Sequence, residues 1–254
     1  MSFTPTQNNQ PNLGSATLVI PSISIGNIPQ LTIDLLIHTF PFVKIGYLDD
    51  LYVYPFASPV DYSKGPIKGI SRAIEVYYCQ DAQLCLIQQR SPILASFTDS
   101  FVKETILPFI NQFKFGKVVV LDSSDAGLVE HVHAGGIEVY TTEELLSKSL
   151  ELLKLSHEKL QEEQEQGQSN YVKSLLRLFN LPRNVGEHGV VGDVCVLVSF
   201  VYEGDNFYDA EKLASKLSQV LKLKQVDHWV RPVSWFGVYG DKPVPNAVEE
   251  GLFG

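Results

Sequence analysis

Two rhythms of apolar residues alternate along the chain. Thr17-Leu-Val-Ile20, Lys117-Val-Val-Val-Leu121 and Asp193-Val-Cys-Val-Leu-Val-Ser-Phe-Val201 are short, nearly continuous apolar runs, the pattern of strands covered on both faces. Between them apolar residues return every three or four positions, which predicts amphipathic helices. Leu31, Leu35 and His38 share a face that Ile28 and Leu36 widen. From Thr98 or Asp99, the residues Phe101, Val102, Thr105, Ile106, Phe109, Ile110 and Phe113 mark another helix, in which Pro108 predicts a lost hydrogen bond and a kink. Residues 171–181, with Leu175, Leu176, Leu178 and Phe179, form a short helix ended by Pro182, and Ala210, Leu213, Ala214, Leu217, Val220 and Leu221 a longer one. Strands alternating with helices predict an α/β domain.

A further strand is predicted at Phe42–Leu48, and extended segments at Leu51–Tyr54 and Ile137–Tyr140, the last followed by Thr141 or Thr142 capping a helix through Glu143 and Glu144. Ile74–Cys79 and Leu84–Gln89, four residues apart, read as an antiparallel hairpin, so the sheet is mixed. The stretch Ser22–Ile37 reads as strand, glycine turn and helix in succession. Gly26 can take a positive φ, Asn27 can cap a first turn, and Pro29 is tolerated where its missing N–H has no partner. Residues 1–15, rich in Asn, Gln, Pro and Thr, predict a flexible tail, and residues 55–70 a surface loop. One domain is expected over residues 16–240, with a polar linker at about 161–170, and a second flexible tail over 241–254.

At 254 residues the chain can bury a sizeable core, and 44% hydrophobic with 19% charged residues are globular proportions. A net charge of -9 disfavours nucleic acid and anionic membrane as partners, because both are bound through basic patches, and favours a basic protein surface. Cys79, Cys85 and Cys195 form no Cys-x-x-Cys pair and read as buried thiols of a reducing compartment. The N-terminus has no basic or apolar leader pattern, so a soluble intracellular protein is expected.

Candidate chemistry sits at strand ends, where open α/β sheets bind ligands. Asp122, Ser123 and Ser124 follow one predicted strand, and Glu203, Asp205 and Asn206 another. No Gly-x-Ser-x-Gly elbow surrounds either serine, and acids beside Gly and Asn are also what turns use, so shaping a turn is the expected role of Glu203, Asp205 and Asn206. There Asp205 would accept backbone N–H groups and Gly204 would take a positive φ. The Gly26 turn opens a helix, a place for an anion, yet neither a phosphate-loop nor a dinucleotide fingerprint is present. Glu130-His-Val-His133 puts two imidazoles at a spacing some metal sites use, without a third ligand at fixed spacing. No cofactor or metal is expected.

Five segments resemble one known family: Ser22–Ile37, Lys44-Ile-Gly-Tyr47, Ala73-Ile-Glu-Val-Tyr77 with Leu86-Ile-Gln-Gln-Arg90, Phe200–Asn206, and Pro232-Val-Ser-Trp-Phe-Gly237. In order and spacing they resemble the proteasome assembly chaperone 2 family, and look like a fungal or other eukaryotic member. The resemblance implies a non-catalytic chaperone of the cytoplasm and nucleus with a three-layer α/β/α sandwich similar to nucleoside phosphorylases. It also implies a heterodimer with proteasome assembly chaperone 1 that binds proteasome α subunits, promotes the α ring of the immature core particle and prevents off-pathway species. Family tails of hydrophobic, tyrosine, any-residue type enter pockets between α subunits. Here the end is Leu252-Phe253-Gly254, with Phe where the motif has Tyr, so a phenol hydrogen bond is lost. The rival reading is a small-molecule enzyme of phosphorylase-like fold using the strand-end acids.

Overall fold

In a computed structural model the described residues are 2–8, 10–128, 133–145, 170–179 and 193–236. Ten strands fall in chain order as β1 Phe3–Pro5, β2 Thr17–Pro21, β3 Val43–Leu48, β4 Ala57–Pro59, β5 Ile70–Arg72, β6 Ile74–Cys79, β7 Leu84–Gln89, β8 Lys117–Asp125, β9 Ile137–Tyr140 and β10 Asp193–Val201. The helices are α1 Ile28–Thr39, α2 made of the consecutive segments Thr98–Phe101, Val102–Ile106 and Leu107–Phe113, α3 Asn170–Phe179 and α4 Phe207–Val220. Eight strands form one mixed sheet in the order β1-β3-β6-β7-β2-β8-β10-β9, and β4 and β5 pair separately. The middle four, β7, β2, β8 and β10, run parallel and carry the longest apolar runs, as burial on both faces requires.

Alternation along these strands sorts side chains into two cores. Leu18, Ile20, Val118, Val120, Val196 and Val198 face α2 and α3 on one side. Val19, Val119, Leu121, Cys195 and Leu197 face α1 and α4 on the other. The result is the three-layer α/β/α arrangement. α1 is buried round most of its circumference because α4 lies over it, so it lacks the single stripe its sequence predicts. The hairpin forms with Ile74 opposite Gln89 and Cys79 opposite Leu84. All three cysteines are free and buried. Thr141 caps the helical turn over residues 142–145, with Glu144 accepting from its backbone N–H at 2.8 Å and its hydroxyl at 3.0 Å. Among the described residues no helix is long and apolar enough to cross a membrane.

Several expectations are corrected. The N-terminal segment is not a free tail: Phe3–Pro5 pairs antiparallel with β3, and Phe3 and Leu13 are buried. Phe3 packs edge-on against Phe113 and leans on Phe109 at 5.4 Å, and this apolar contact offsets the ordering of a polar segment. Of the extended segment expected at Leu51–Tyr54, Leu51 and Tyr52 form a turn and Val53 makes an antiparallel bridge with Ile93. Pro108 does not simply kink its helix. The segment before it, Val102–Ile106, widens to a π turn in which Leu107 N–H donates to the Val102 carbonyl, and α-geometry resumes with Pro108 in the first turn, where it needs no N–H. Asn27 is left-handed, with φ 50°, and makes no capping bond through its side chain. The expected linker at about 161–170 lies outside the described residues except for Asn170, which begins α3, and the tail at 241–254 lies outside them entirely.

Candidate functional site

The carboxyl ends of β2, β8 and β10 are adjacent, and β8 runs further than its apolar run suggests, pairing with β10 as far as Asp125 opposite Val201. Asp122, Ser123 and Ser124 are therefore strand residues rather than a loop beyond the strand. Opposite them the chain leaving β2 brings Ser22 and Ser24. Ser22 Oγ donates to Asp122 Oδ1, Ser22 and Ser24 hydroxyls are 2.9 Å apart, Ser24 and Ser123 hydroxyls are 2.7 Å apart, and Ser123 Oγ donates to the Ile25 carbonyl at 2.6 Å. Each hydroxyl has one proton. Ser22 gives its proton to Asp122 and Ser123 gives its own to Ile25, which leaves the Ser24 proton to lie between Ser22 and Ser123. Ser123 N–H also donates to Ser24 Oγ at 3.0 Å, and Gln30 Nε2 to the Ser22 carbonyl at 2.6 Å.

Chemically this is a clasp. Its hydroxyls bond one another, one carboxylate and the backbone, and among the described residues no histidine or lysine hydrogen-bonds the Ser22, Ser24 or Ser123 hydroxyl. Asp122 and Ser22 are both 0% exposed. The second group of acids does not converge on it: Glu203 and Asp205 are exposed in the turn after β10. Asp205 accepts the Phe207 N–H at 3.3 Å. Asn206 Oδ1 accepts the Gly204 N–H at 3.0 Å, and Asn206 Nδ2 donates to the Tyr202 carbonyl at 2.8 Å. Asp205 and Asn206 hold this turn as expected, with Asn206 as the central member, while Glu203 is an exposed residue of it. The positive φ expected at Gly204 is absent, whereas the one expected at Gly26 is present, at 66°. Asn206 lies against Gly26, so the space before α1 where an anion would sit is filled by an amide.

Of the histidine pair, His133 is exposed, while Glu130 and His131 lie outside the described residues, as do Leu252, Phe253 and Gly254. Among the described residues no group of three His, Cys, Asp or Glu side chains is placed to hold a metal.

Residue patterns missed a second polar cluster, between α1 and the strands β3, β6 and β7. Arg90 makes a two-pronged pair with Asp34 of α1, Nη2 to Oδ1 at 2.8 Å and Nη1 to Oδ2 at 3.3 Å, and Gln88 Nε2 donates to the same carboxylate at 2.7 Å. Glu75, 0% exposed, accepts from Lys44 Nζ and from the Tyr77 hydroxyl, each at 2.9 Å. Burial opposes the Arg90 charge, but the Asp34 carboxylate more than compensates and holds its pKa above the ordinary value. Burial, then Glu75, pushes the Tyr77 phenol up. The signal that marks this cluster in sequence is Glu75, Gln88 and Arg90 interrupting or ending apolar strand runs, since buried charge persists only when paired.

The aromatic segment near the end of the described chain docks beside this turn. Trp235 stacks on Phe207 at 4.4 Å and 8°, Arg231 Nε pairs with Glu211 at 2.8 Å, and Val233 N–H donates to the Tyr62 carbonyl at 2.8 Å. The described residues of these sequence segments include members of the sheet, the clasp, the ion cluster and this docking.

The chain is 27% identical over 252 residues to proteasome assembly chaperone 2 of Saccharomyces cerevisiae, covering 88% of this chain and 94% of the relative. It is 25% identical over 256 residues to proteasome assembly chaperone 2 of Homo sapiens, covering 94% and 97%. Among solved structures, Pyrococcus furiosus PbaA, described as an archaeal homologue of proteasome-assembly chaperone, superposes with a TM-score of 0.57 at 16% identity, covering 88% of both chains. Pyrococcus furiosus PbaB, described as an archaeal proteasome activator, superposes at 0.55 and 14% identity over 89% of this chain and 91% of its own, a likeness of fold. The model of the PAC2 family matches residues 18–226, from β2 to beyond α4, and the chain belongs to the PAC2 family.

Proposed function

We propose that this chain is a non-catalytic proteasome assembly chaperone that pairs with a paralogue, proteasome assembly chaperone 1, in the cytoplasm and nucleus. The pair binds proteasome α subunits and promotes α-ring formation while preventing off-pathway species. The observation that carries this reading is near-full-length similarity to proteasome assembly chaperone 2 from yeast to human. The geometry supports it from another side, because the Ser22, Ser24 and Ser123 hydroxyls bond one another, Asp122 and the Ile25 carbonyl, and Asp205 and Asn206 hold a turn. Leu252, Phe253 and Gly254 are the residues through which this reading has the chain enter a pocket between α subunits, with Leu252 and Phe253 as apolar anchors.

The test is co-expression with proteasome assembly chaperone 1 and α subunits, followed by purification through this chain. Recovery of a heterodimer bound to α subunits or to immature core particles is the expected result. Removing Leu252, Phe253 and Gly254, with the paralogue's tail also removed so that it cannot mask the loss, should weaken core-particle binding and leave the heterodimer intact. Failure to recover α subunits, together with tight saturable binding of a nucleoside or phosphate, would turn the assignment to the enzyme reading.

A further inference from the structure

Buried polar atoms without a partner are few in this molecule, and they gather in one place. Among the described residues five buried side-chain atoms able to hydrogen-bond have none: Gln30 Oε1, Gln88 Oε1, Arg90 Nε, the Tyr171 hydroxyl and Ser218 Oγ. The last two belong to α3 and α4. The first three belong to one connected cluster in the seam between α1 and β7. Gln88 Nε2 donates to the Gln30 main-chain carbonyl at 3.0 Å and to Asp34 Oδ1 at 2.7 Å, and Arg90 Nη2 donates to that same carboxylate oxygen at 2.8 Å. Gln30 is 9% exposed and Gln88 0%, so bulk solvent does not reach their oxygens. A buried polar group left in this way calls for a physical explanation.

Turning either amide over does not supply one. Turned, Gln88 would set its oxygen against the Gln30 carbonyl and the Asp34 carboxylate, three acceptors with no proton among them. Turned, Gln30 would set its oxygen against the Ser22 carbonyl, to which its Nε2 donates at 2.6 Å. The neighbours therefore fix both amides, and each oxygen still needs a donor. The cations of the cluster face its carboxylates instead, Arg90 through both Nη atoms on Asp34 and Lys44 Nζ on Glu75 at 2.9 Å. Arg90 Nε–H has the converse need, because Glu75 Oε2 is 3.9 Å from it, beyond hydrogen-bond range.

Two unmet acceptors and one unmet donor are what water complements, since it gives two protons and accepts through its oxygen. We infer that the seam between α1 and β7 is a binding site for internal water, which donates to Gln30 Oε1 and Gln88 Oε1 and accepts from Arg90 Nε. A metal cation would suit the two amide oxygens, but the guanidinium beside them repels it. Globular proteins hold about one buried water per 27 residues, bonded to about three polar groups, so such a site is in keeping with a chain of 254 residues. The water completes a polar path through the molecule. Ser22 Oγ bonds Asp122, Gln30 bonds the Ser22 carbonyl, and Gln88 bonds the Gln30 carbonyl and leads to Asp34 and Arg90. That path ties the first turns of α1 to the clasp on one side and to the ion cluster on the other.

The experiment is a crystal structure of the full chain at a resolution that shows ordered water, with a solution measurement beside it. Density for water at about 2.7–3.2 Å from Gln30 Oε1 and from Gln88 Oε1 is the expected result. In solution, nuclear Overhauser transfer from water to the Gln30 side-chain amide protons should carry the sign of a long-lived bound molecule. Gln88→Leu, with thermal melts checking that it folds, should lose that transfer because the site keeps too few polar partners. If the variant does not fold, the crystal structure of the parent decides alone. Protein donors on both oxygens, or well-ordered density without water at either of them, overturns the inference. So does an atom at the metal–oxygen distances of about 2.0–2.6 Å, which would make the site one for a cation.

Discussion

Asn206 occupies the space that a side chain on Gly26 would need: a Cβ at Gly26 would lie 2.6 Å from Asn206 Oδ1 and 2.8 Å from its Cγ. The amide cannot swing away freely, because it bonds Gly204 N–H and the Tyr202 carbonyl. The turn before α1 and the turn after β10, some 180 residues apart in the chain, are thus fitted to each other.

Gly26→Ala should therefore destabilise by about 1–3 kcal/mol, combining a left-handed backbone at φ 66° with the clash. Urea unfolding of the single variants and of Gly26→Ala with Asn206→Ala checks the cause. The double variant should lose less than the two singles added, since the clash is removed with the amide. Strict additivity would show that the strain is of the backbone alone.

Gly46 meets the N-terminal strand in the same way. A Cβ there would lie 2.3 Å from Phe3 Cε2 and 2.6 Å from the Thr4 carbonyl oxygen. Gly46→Ala should push β1 off the sheet edge at a cost of about 1–3 kcal/mol. Amide exchange at Thr6, whose N–H donates to the Ile45 carbonyl at 2.9 Å, should speed up while exchange in β8 and β10 stays slow. Equal acceleration in all strands would mean general destabilisation instead.

Arg90→Ala leaves the Asp34 carboxylate, on the inner side of α1, with Gln88 but without its two-pronged cation. Breaking a buried pair from one side costs about 3–5 kcal/mol, whereas replacing both partners with apolar groups costs far less. Asp34→Leu with Arg90→Met should accordingly be more stable than Arg90→Ala, as read from denaturant midpoints.

His38, in the last turn of α1, has its pKa held below the usual 6.5 by burial, against the opposing pull of Asp34 and Asp61 and with a push from Arg90. Below pH 6.5 the unfolded chain takes up a proton that the folded ring still refuses. Its contribution to stability is complete above that pH and is lost as pH falls from there toward the folded value. His38→Gln should flatten the stability curve over that window, measured as urea midpoints from about pH 7.5 to about pH 5.5. An identical slope in the parent and the variant would assign the pH dependence to other groups.

Strand and helix periodicity alone determined the elements that matter most. Asp193–Val201, the hairpin from Ile74 to Gln89, the α4 stripe of Ala210, Leu213, Ala214 and Leu217, and the layered α/β class all follow from local patterns, because continuous burial and helical spacing are written in neighbouring residues. The tertiary structure decided what depends on partners distant in the chain. Phe3 becomes a strand residue only because Phe109 and Phe113 offer it a surface, and Asp122 joins a clasp only because Ser22 lies opposite. Asp34 and Arg90 reveal their purpose only when α1 crosses β7, and Gln30 and Gln88 read as ordinary polar positions until that crossing buries both. Sequence spacing reports contacts made within a few residues, while charge pairing and hydrogen bonding between elements are properties of chain segments that meet only after folding.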